Sequence, residues 1–286
     1  MRLCPNCDLP SPAKRCASCG HLVETSAGFE LYAPHQALQG HGYDPAIYAE
    51  LASLEDRHFW FRARNRLIVH CARKYFPRAQ SLLEVGCGTG QVLRALAAAF
   101  PGARLHGSEL FLEGLAFARD RAPGAQLMQM DATNIPFEDE FDVIGAFDVV
   151  EHIEDDERVL SRMHRALKRG GGAIFTVPQH PWLWSEQDVL ACHVRRYERG
   201  ELEAKLRKCG FRVVHSTSFV TILLPALAVS RRAVRQRDAD PLREMRIGNI
   251  TNTLLDIVLR GECALLRTGV RLPVGGSRLV VASKDS

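Results

Sequence analysis

Apolar residues along this chain fall into two rhythms. Compact runs bounded by turn residues, SLLEV (81–85), ARLHGSEL (103–110), AQLMQM (125–130), FDVIGAF (141–147) and AIFTVP (173–178), have the pattern of buried strands. QVLRALAAAF after the first run and RALKR before the last have helical spacing instead. Strands alternating with helices predict an α/β chain with a mainly parallel sheet. GFRVVHSTSF (210–219) and SRLVVASK (277–284) are expected as strands six and seven. The stretch separating them is far longer than a hairpin connection needs, which predicts a helical insert over about 220–274. Upstream, ELASLEDRHFWFRARNRLIVHCARKYF repeats Leu51, Leu54, His58, Phe61, Leu67, Ile68 and Cys71 near helical spacing and is expected as a single helix. Residues 21–50 show no period and are expected to connect.

Composition narrows the class. With 46% hydrophobic and 24% charged residues over 286 positions, the chain can bury one large core plus small attachments. A net charge of +4 neither requires nucleic acid nor excludes it. The apolar run FVTILLPALAV is shorter than the roughly 20 residues a spanning helix needs. With no apolar leader after MRLCPNC, a cytoplasmic protein is expected. In that compartment clustered cysteines point to metal before disulfide. Cys4, Cys7, Cys16 and Cys19 form two C-x-x-C pairs eight residues apart. Two such knuckles complete a tetrahedral sulfur site, so residues 1–24 are expected to be a small zinc ribbon whose closed shell serves structure rather than catalysis.

The first strand runs into Gly86, Cys87, Gly88, Thr89 and Gly90 and then a helix, the opening of a doubly wound unit. A triphosphate loop would need Gly-Lys-Ser/Thr, and a dinucleotide fingerprint would need glycine where Gln91 stands. What remains, E-V-G-C-G-T-G, resembles motif I of class I S-adenosylmethionine-dependent methyltransferases. The resemblance implies a Rossmann-like seven-stranded sheet with an antiparallel last strand over residues 79–286. It also implies that Glu84 helps hold the methionyl amino group while Gly86, Cys87, Gly88 and Gly90 bring backbone to the cofactor. Glu109 ends the second strand, where a carboxylate accepts both ribose hydroxyls. The resemblance places Asp131 and the amide of Ala132 at the adenine, with Leu110 and Phe147 at neighbouring cofactor positions.

Candidate chemistry gathers at the end of strand four, in Asp148, Glu151 and His152. Spaced at three and four residues, these converge if a helical turn starts there. The pattern resembles the E-x-x-E-H of ubiquinone-pathway O-methyltransferases and small-RNA 2′-O-methyltransferases. That resemblance implies a second divalent ion at Asp148/Glu151/His152, with His193 as the further histidine of the RNA enzymes. Without metal, His152 would serve as base or substrate contact, or would be structural. A bacterial subgroup with an FWF-arginine helix, a VP-x-H-P-x-L-W loop and an H-x-R-R-Y turn is also similar. Its likeness puts His180, Trp182, Trp184 and Arg195 at a substrate mouth, the alternative being a packed loop core.

Residues 25–78 are thus expected as linker and N-terminal helix. That helix carries seven basic residues and no acidic ones between Arg57 and Arg78. It would cover the sheet edge with one arginine turned towards the cofactor, or else bind RNA or another anion. In the insert, apolar ILLPALAV precedes RRAVRQRDADPLREMR, which fits packed helices, a lid, a dimer face or a peripheral membrane contact. The favoured function is methylation, chiefly O-methylation, of a small-molecule, sugar or lipid-linked acceptor. The alternatives are an RNA methyltransferase, with ribosomal or transfer RNA bound by the zinc ribbon and basic helix, and a cofactor-binding protein without catalysis.

Overall fold

The computed structural model describes residues 1–37, 47–233, 242 and 245–285. Two cysteine knuckles open the chain, tied by bridges of Leu3 with Pro10 and Arg15 with Leu22. A hairpin of β1 (Glu24–Ser26) and β2 (Phe29–Leu31) follows, then α1 (Pro34–Ala37), α2 (Ile47–Glu55) and α3 (Phe59–Tyr75). Next come β3 (Ser81–Val85), α4 (Gln91–Ala99), β4 (Arg104–Glu109), α5 (Leu112–Arg121), β5 (Gln126–Gln129) and β6 (Phe141–Phe147). The chain continues through α6 (Asp156–Ala166), β7 (Leu167–Pro178), α7 (Glu186–Leu190), α8 (Glu201–Lys208) and β8 (Phe211–Phe219). It closes with α9 (Leu224–Ala233), α10 (Asn249–Arg267) and β9 (Ser277–Lys284).

The sheet order is β1-β2-β5-β4-β3-β6-β7-β9-β8. Strands β5, β4, β3, β6 and β7 are parallel neighbours, while β9 runs antiparallel to both β7 and β8. The seven expected strands are therefore present in the class I arrangement, and the hairpin adds two more. Every residue of β3 is buried, as a parallel strand covered on both faces requires. One core lies under α6 and α8, built on Leu83, Ile144, Leu160 and Phe175. The other lies under α3, α4 and α10, built on Ile68, Leu93, Val143 and Leu259.

Three local expectations change. The helix expected over 50–76 is two helices, because His58 leaves the helical path and its ring Nδ1 accepts the amide N–H of Trp60, capping α3. Residues 24–31, expected as linker, form the hairpin, and β2 extends the sheet by pairing with β5. The end of RALKR, expected with helical spacing, leaves the helix at Leu167 and with the glycine run 170–172 is part of β7, whose register against β6 slips between Phe141 and Val143. Glycine is needed there because a Cβ on Gly172 would lie 2.4 Å from both the Ala282 carbonyl and the Phe76 ring. Of the arginine-rich stretch in the insert, residues 234–241 and 243–244 lie outside the described residues, as do 38–46 in the linker. Among the described residues no helix is long and apolar enough to cross a membrane.

Candidate functional site

The turn after β3 sits at the carboxyl ends of the parallel strands, where ligands bind in open α/β sheets. Gly86 and Gly90 abut Val149 and the Ala118 backbone, both with positive φ, so neither tolerates a side chain. Gly88 also has positive φ, but nothing lies within 4 Å of where its Cβ would be. Open space at that one glycine is what a ligand lying on the backbone requires. Cys87 packs its side chain into a small cluster with Phe29, Leu115 and Ala118 and offers the turn only its backbone.

Carboxylates surround this opening. Glu84 is buried, and its Oε2 has no hydrogen-bond partner among the described residues. Burial drives its carboxyl well above the ordinary range, and Glu55 and Glu109 add to the rise while Arg64 opposes it. Glu109 accepts the amide N–H groups of Gly88 at 2.9 Å and Leu110 at 2.7 Å. Burial raises its carboxyl too, against these bonds and one from Tyr48. Asp131 caps a 3₁₀ turn over Ala132–Asn134 by accepting Thr133 N–H at 2.8 Å. An unpartnered buried carboxylate oxygen, two further acids at adjacent strand ends and a bare glycine form a donor set that fits a cationic amino acid joined to an adenosine. Phe147 does not join it: its ring lies over Gly145 in the core.

The α3 helix supplies the arginine turned inward. Arg64 is buried, stacks its guanidinium 4.8 Å from the Trp60 ring and donates to Asp148 Oδ2 at 2.6 Å. Thr176 Oγ1 donates to the same oxygen at 3.0 Å. Asp148 takes a positive φ of 58°, a strained setting of the kind that clusters at sites. These partners correct the expected ion site at Asp148/Glu151/His152, since Asp148 is drawn to Arg64. The residues whose ligand atoms lie within 4.8 Å of one another are Glu151, His152 and His193.

Glu151 is fully buried with both carboxylate oxygens unpartnered among the described residues, and burial followed by Asp148 pushes its carboxyl well up. The loop carrying His193 is strapped down by Val194 N–H donating to the Glu151 carbonyl at 2.8 Å. His193 faces His152 edge-on, ring centroids 4.8 Å apart, and its Nδ1 lies 2.9 Å from Asp188 Oδ1. Asp188 has no exposed side-chain surface and is bound by Arg196 at 2.7 Å and Arg231 at 2.6 Å. Asp188 Oδ1 is placed to accept a proton from Nδ1 of His193, which orients the ring. Burial and the neighbouring His193 lower His152 to about 4. One carboxylate and two imidazoles also form a donor set suited to a transition-metal ion.

The aromatic loop is not a packed core: Trp182 and Trp184 are exposed, with His180 stacked on Trp182. Arg195 turns away to Asp156 at the start of α6 and is no part of a mouth. Sequence reading missed Asp188, Tyr48 and the Glu55–Arg121 pair beside Thr89. None has a spacing that marks it. Arg64 alone had a signal, its place in an acid-free aromatic–basic helix.

The four N-terminal cysteines do converge. Sγ of Cys4 and Cys19 are 3.6 Å apart and those of Cys7 and Cys16 3.7 Å, against sulfur–sulfur edges of about 3.8 Å around tetrahedral zinc. Amides of Cys19 and Ser18 help lower the Cys16 thiol to about 6, while its neighbour Cys7, sharing a proton with it, is raised to about 12. The set fits zinc. It is pinned to the cofactor side of the sheet by Asn134 donating to the Pro5 carbonyl at 2.8 Å, and by Arg162 and Arg165 holding Asp8.

Comparison with known proteins agrees with this geometry. Residues 83–175 match the family model described as a methyltransferase domain. Demethylmenaquinone methyltransferase of Chlorobaculum tepidum is 37% identical over 105 residues, covering 36% of this chain and 43% of that protein. Trans-aconitate 2-methyltransferase of Variovorax paradoxus is 33% identical over 110 residues, covering 38% of this chain and 42% of that protein. The chain thus spans under half the length of these two relatives. Among solved structures, phosphoethanolamine N-methyltransferase 2 of Haemonchus contortus with S-adenosyl-L-methionine superposes with a TM-score of 0.52 at 21% identity, over 77% of this chain and 52% of that one, and shows the fold alone. Strand order, the glycine turn and the match over residues 83–175 agree on a class I methyltransferase fold for this chain.

Proposed function

We propose that the chain transfers a methyl group from S-adenosylmethionine to a small-molecule acceptor, with an oxygen as the atom methylated. The observation that carries this reading is the unpartnered, buried Glu84 oxygen beside the open face of Gly88. A buried carboxylate without a partner is costly unless a cation answers it. When bound, S-adenosylmethionine supplies a methyl group already activated on a sulfonium. In this reading Glu84 holds the amino group, Glu109 the ribose hydroxyls, and Asp131 with the Ala132 amide the adenine. Arg64 holds Asp148 at the end of β6 and so keeps the floor of the acceptor side in place.

For an acceptor hydroxyl the chain must remove a proton, and His193 is the group arranged for it. Asp188 orients its ring through Nδ1, which leaves Nε2 to accept. His152, held neutral, contacts the acceptor rather than carrying charge. The compact corner over Glu151 suits a small acceptor, as do the relatives named for demethylmenaquinone and trans-aconitate. A sugar or lipid-linked hydroxyl belongs to the same class. The four cysteines hold a structural zinc in the same account.

The test is incubation of the purified protein with methyl-labelled cofactor and extract separated into lipid, small-molecule, RNA and protein fractions. Label is expected in the lipid or small-molecule fraction, and label confined to RNA would contradict the acceptor class. His193→Gln is expected to slow transfer roughly a hundredfold or more while leaving cofactor affinity unchanged. Full turnover in that variant would remove His193 as base.

A further inference from the structure

Helix α10 carries aliphatic side chains on both of its faces. Its inward face buries Leu259, Cys263 and Leu266 in the core together with Asp256 and Glu262. Asp256 binds Arg66 at 2.8 Å and Arg62 at 3.2 Å from α3, and Glu262 accepts the amides of Thr221 and Ile222 at 2.9 and 2.8 Å. Its outward face carries Ile250, Leu254, Ile257 and Leu265, which are 80, 59, 58 and 45% exposed. With 3.6 residues per turn these four and Gly261 fall within roughly 80° of the circumference, opposite Asp256, Leu259 and Cys263. A helix that already buries one apolar face and both its carboxylates, and still turns four large aliphatic side chains to solvent, needs an apolar environment outside.

The charges say what that environment is. Between residues 249 and 274 the only acids are the two buried ones, while Arg267 and Arg271 are exposed and Arg260, exposed as well, pairs with Asp256 at 2.8 Å. Alongside, Arg267 helps line a groove of about 510 Å³ with Arg62, Arg66, Arg73 and Arg94, against a single lining carboxylate, Asp56. A second copy docked by a two-fold axis would bring this face against itself, arginine to arginine, with Asp56 the one exposed acid lining the groove among the described residues, already paired with Arg94. A bilayer with anionic headgroups satisfies both halves of the pattern, accepting aliphatic side chains below and guanidinium groups at the phosphates. We propose that the outer face of α10, with the adjoining arginine groove, docks on an anionic lipid surface. This surface does not depend on which acceptor is methylated. It sits beside the site, because α10 packs on α3 and Asn252 accepts the Phe59 amide at 2.8 Å.

The experiment is co-sedimentation of the full chain with vesicles of phosphatidylcholine alone or mixed with phosphatidylglycerol, alongside sedimentation velocity without lipid. Wild type is expected on the mixed vesicles and not on phosphatidylcholine alone, with binding weakened by salt. The Leu254→Ser/Ile257→Ser variant, whose positions are exposed, should unfold at the wild-type temperature and bind at least about tenfold more weakly. Arg267→Glu/Arg271→Glu should lose the preference for anionic lipid. Wild type that ignores both vesicles, or aliphatic variants that bind as wild type does, would overturn the proposal. So would a wild-type dimer that the aliphatic substitutions turn into monomer, which would make a second copy the occupant.

Discussion

Glu84 is the residue whose state the cofactor should change most. Its carboxyl stands well above the ordinary range because it is buried beside two other acids. A cation bound there favours the ionised form, so binding should expel a proton and affinity should rise with pH. Calorimetry in two buffers of different ionisation enthalpy checks this, and identical heats in both would contradict it. The residue was legible in the sequence because the glycine spacing marks it. The Asp188–His193 pair was only half legible. His193 stood out in its motif, but its orienting acid lies on a separate short helix, and only folding of the 186–196 loop onto Glu151 brings it to the corner. Asp148 misled for the same reason: spacing suggested a metal ligand, whereas Arg64, 84 positions away in sequence, claims it.

At the scale of elements, the knuckles bear on the turn after β5, which the proposed function places at the adenine. Asn134 belongs to the turn capped by Asp131, and its donation to Pro5 ties that turn to the first cysteine pair. If zinc orders the knuckles, stripping it should cost the pocket about one hydrogen bond, weakening cofactor binding by roughly threefold to tenfold. Release of one zinc into a chromogenic chelator, with calorimetry before and after, measures both. No released zinc, or unchanged affinity after release, would contradict the coupling. The β strands were legible because buried parallel strands leave continuous apolar runs. The break between α2 and α3 was not, because Leu54, His58 and Phe61 keep helical spacing across it. The β1–β2 hairpin was hidden as well, its outer strand being exposed and too short to show a period.

For the whole molecule, the seven-stranded sheet with its antiparallel last strand was legible through the motif resemblance, while the exposed aliphatic face of α10 emerged only once its other face was seen packed on α3. Stability should report another buried group, His215 on β8. Burial, with Arg271, Lys74, Arg278 and His70 around it, lowers His215 from the ordinary 6.5 to about 4. The unfolded chain therefore takes up this proton first as pH falls. The stabilisation is complete above pH 6.5 and is lost between 6.5 and 4, on the order of 3 kcal/mol. Urea midpoints at pH 7 and 4.5 should differ less in His215→Asn than in wild type, and an equal difference would contradict the assignment.

The central claim is that buried acids around the open glycine turn hold the methyl donor. Isothermal calorimetry of S-adenosylmethionine and S-adenosylhomocysteine on folded wild type and Glu109→Ala tests it most directly. The account predicts one equivalent bound by wild type and an affinity roughly tenfold to hundredfold lower in the variant, the loss expected for a charge-assisted bond. Folded wild-type protein that binds neither compound would contradict it.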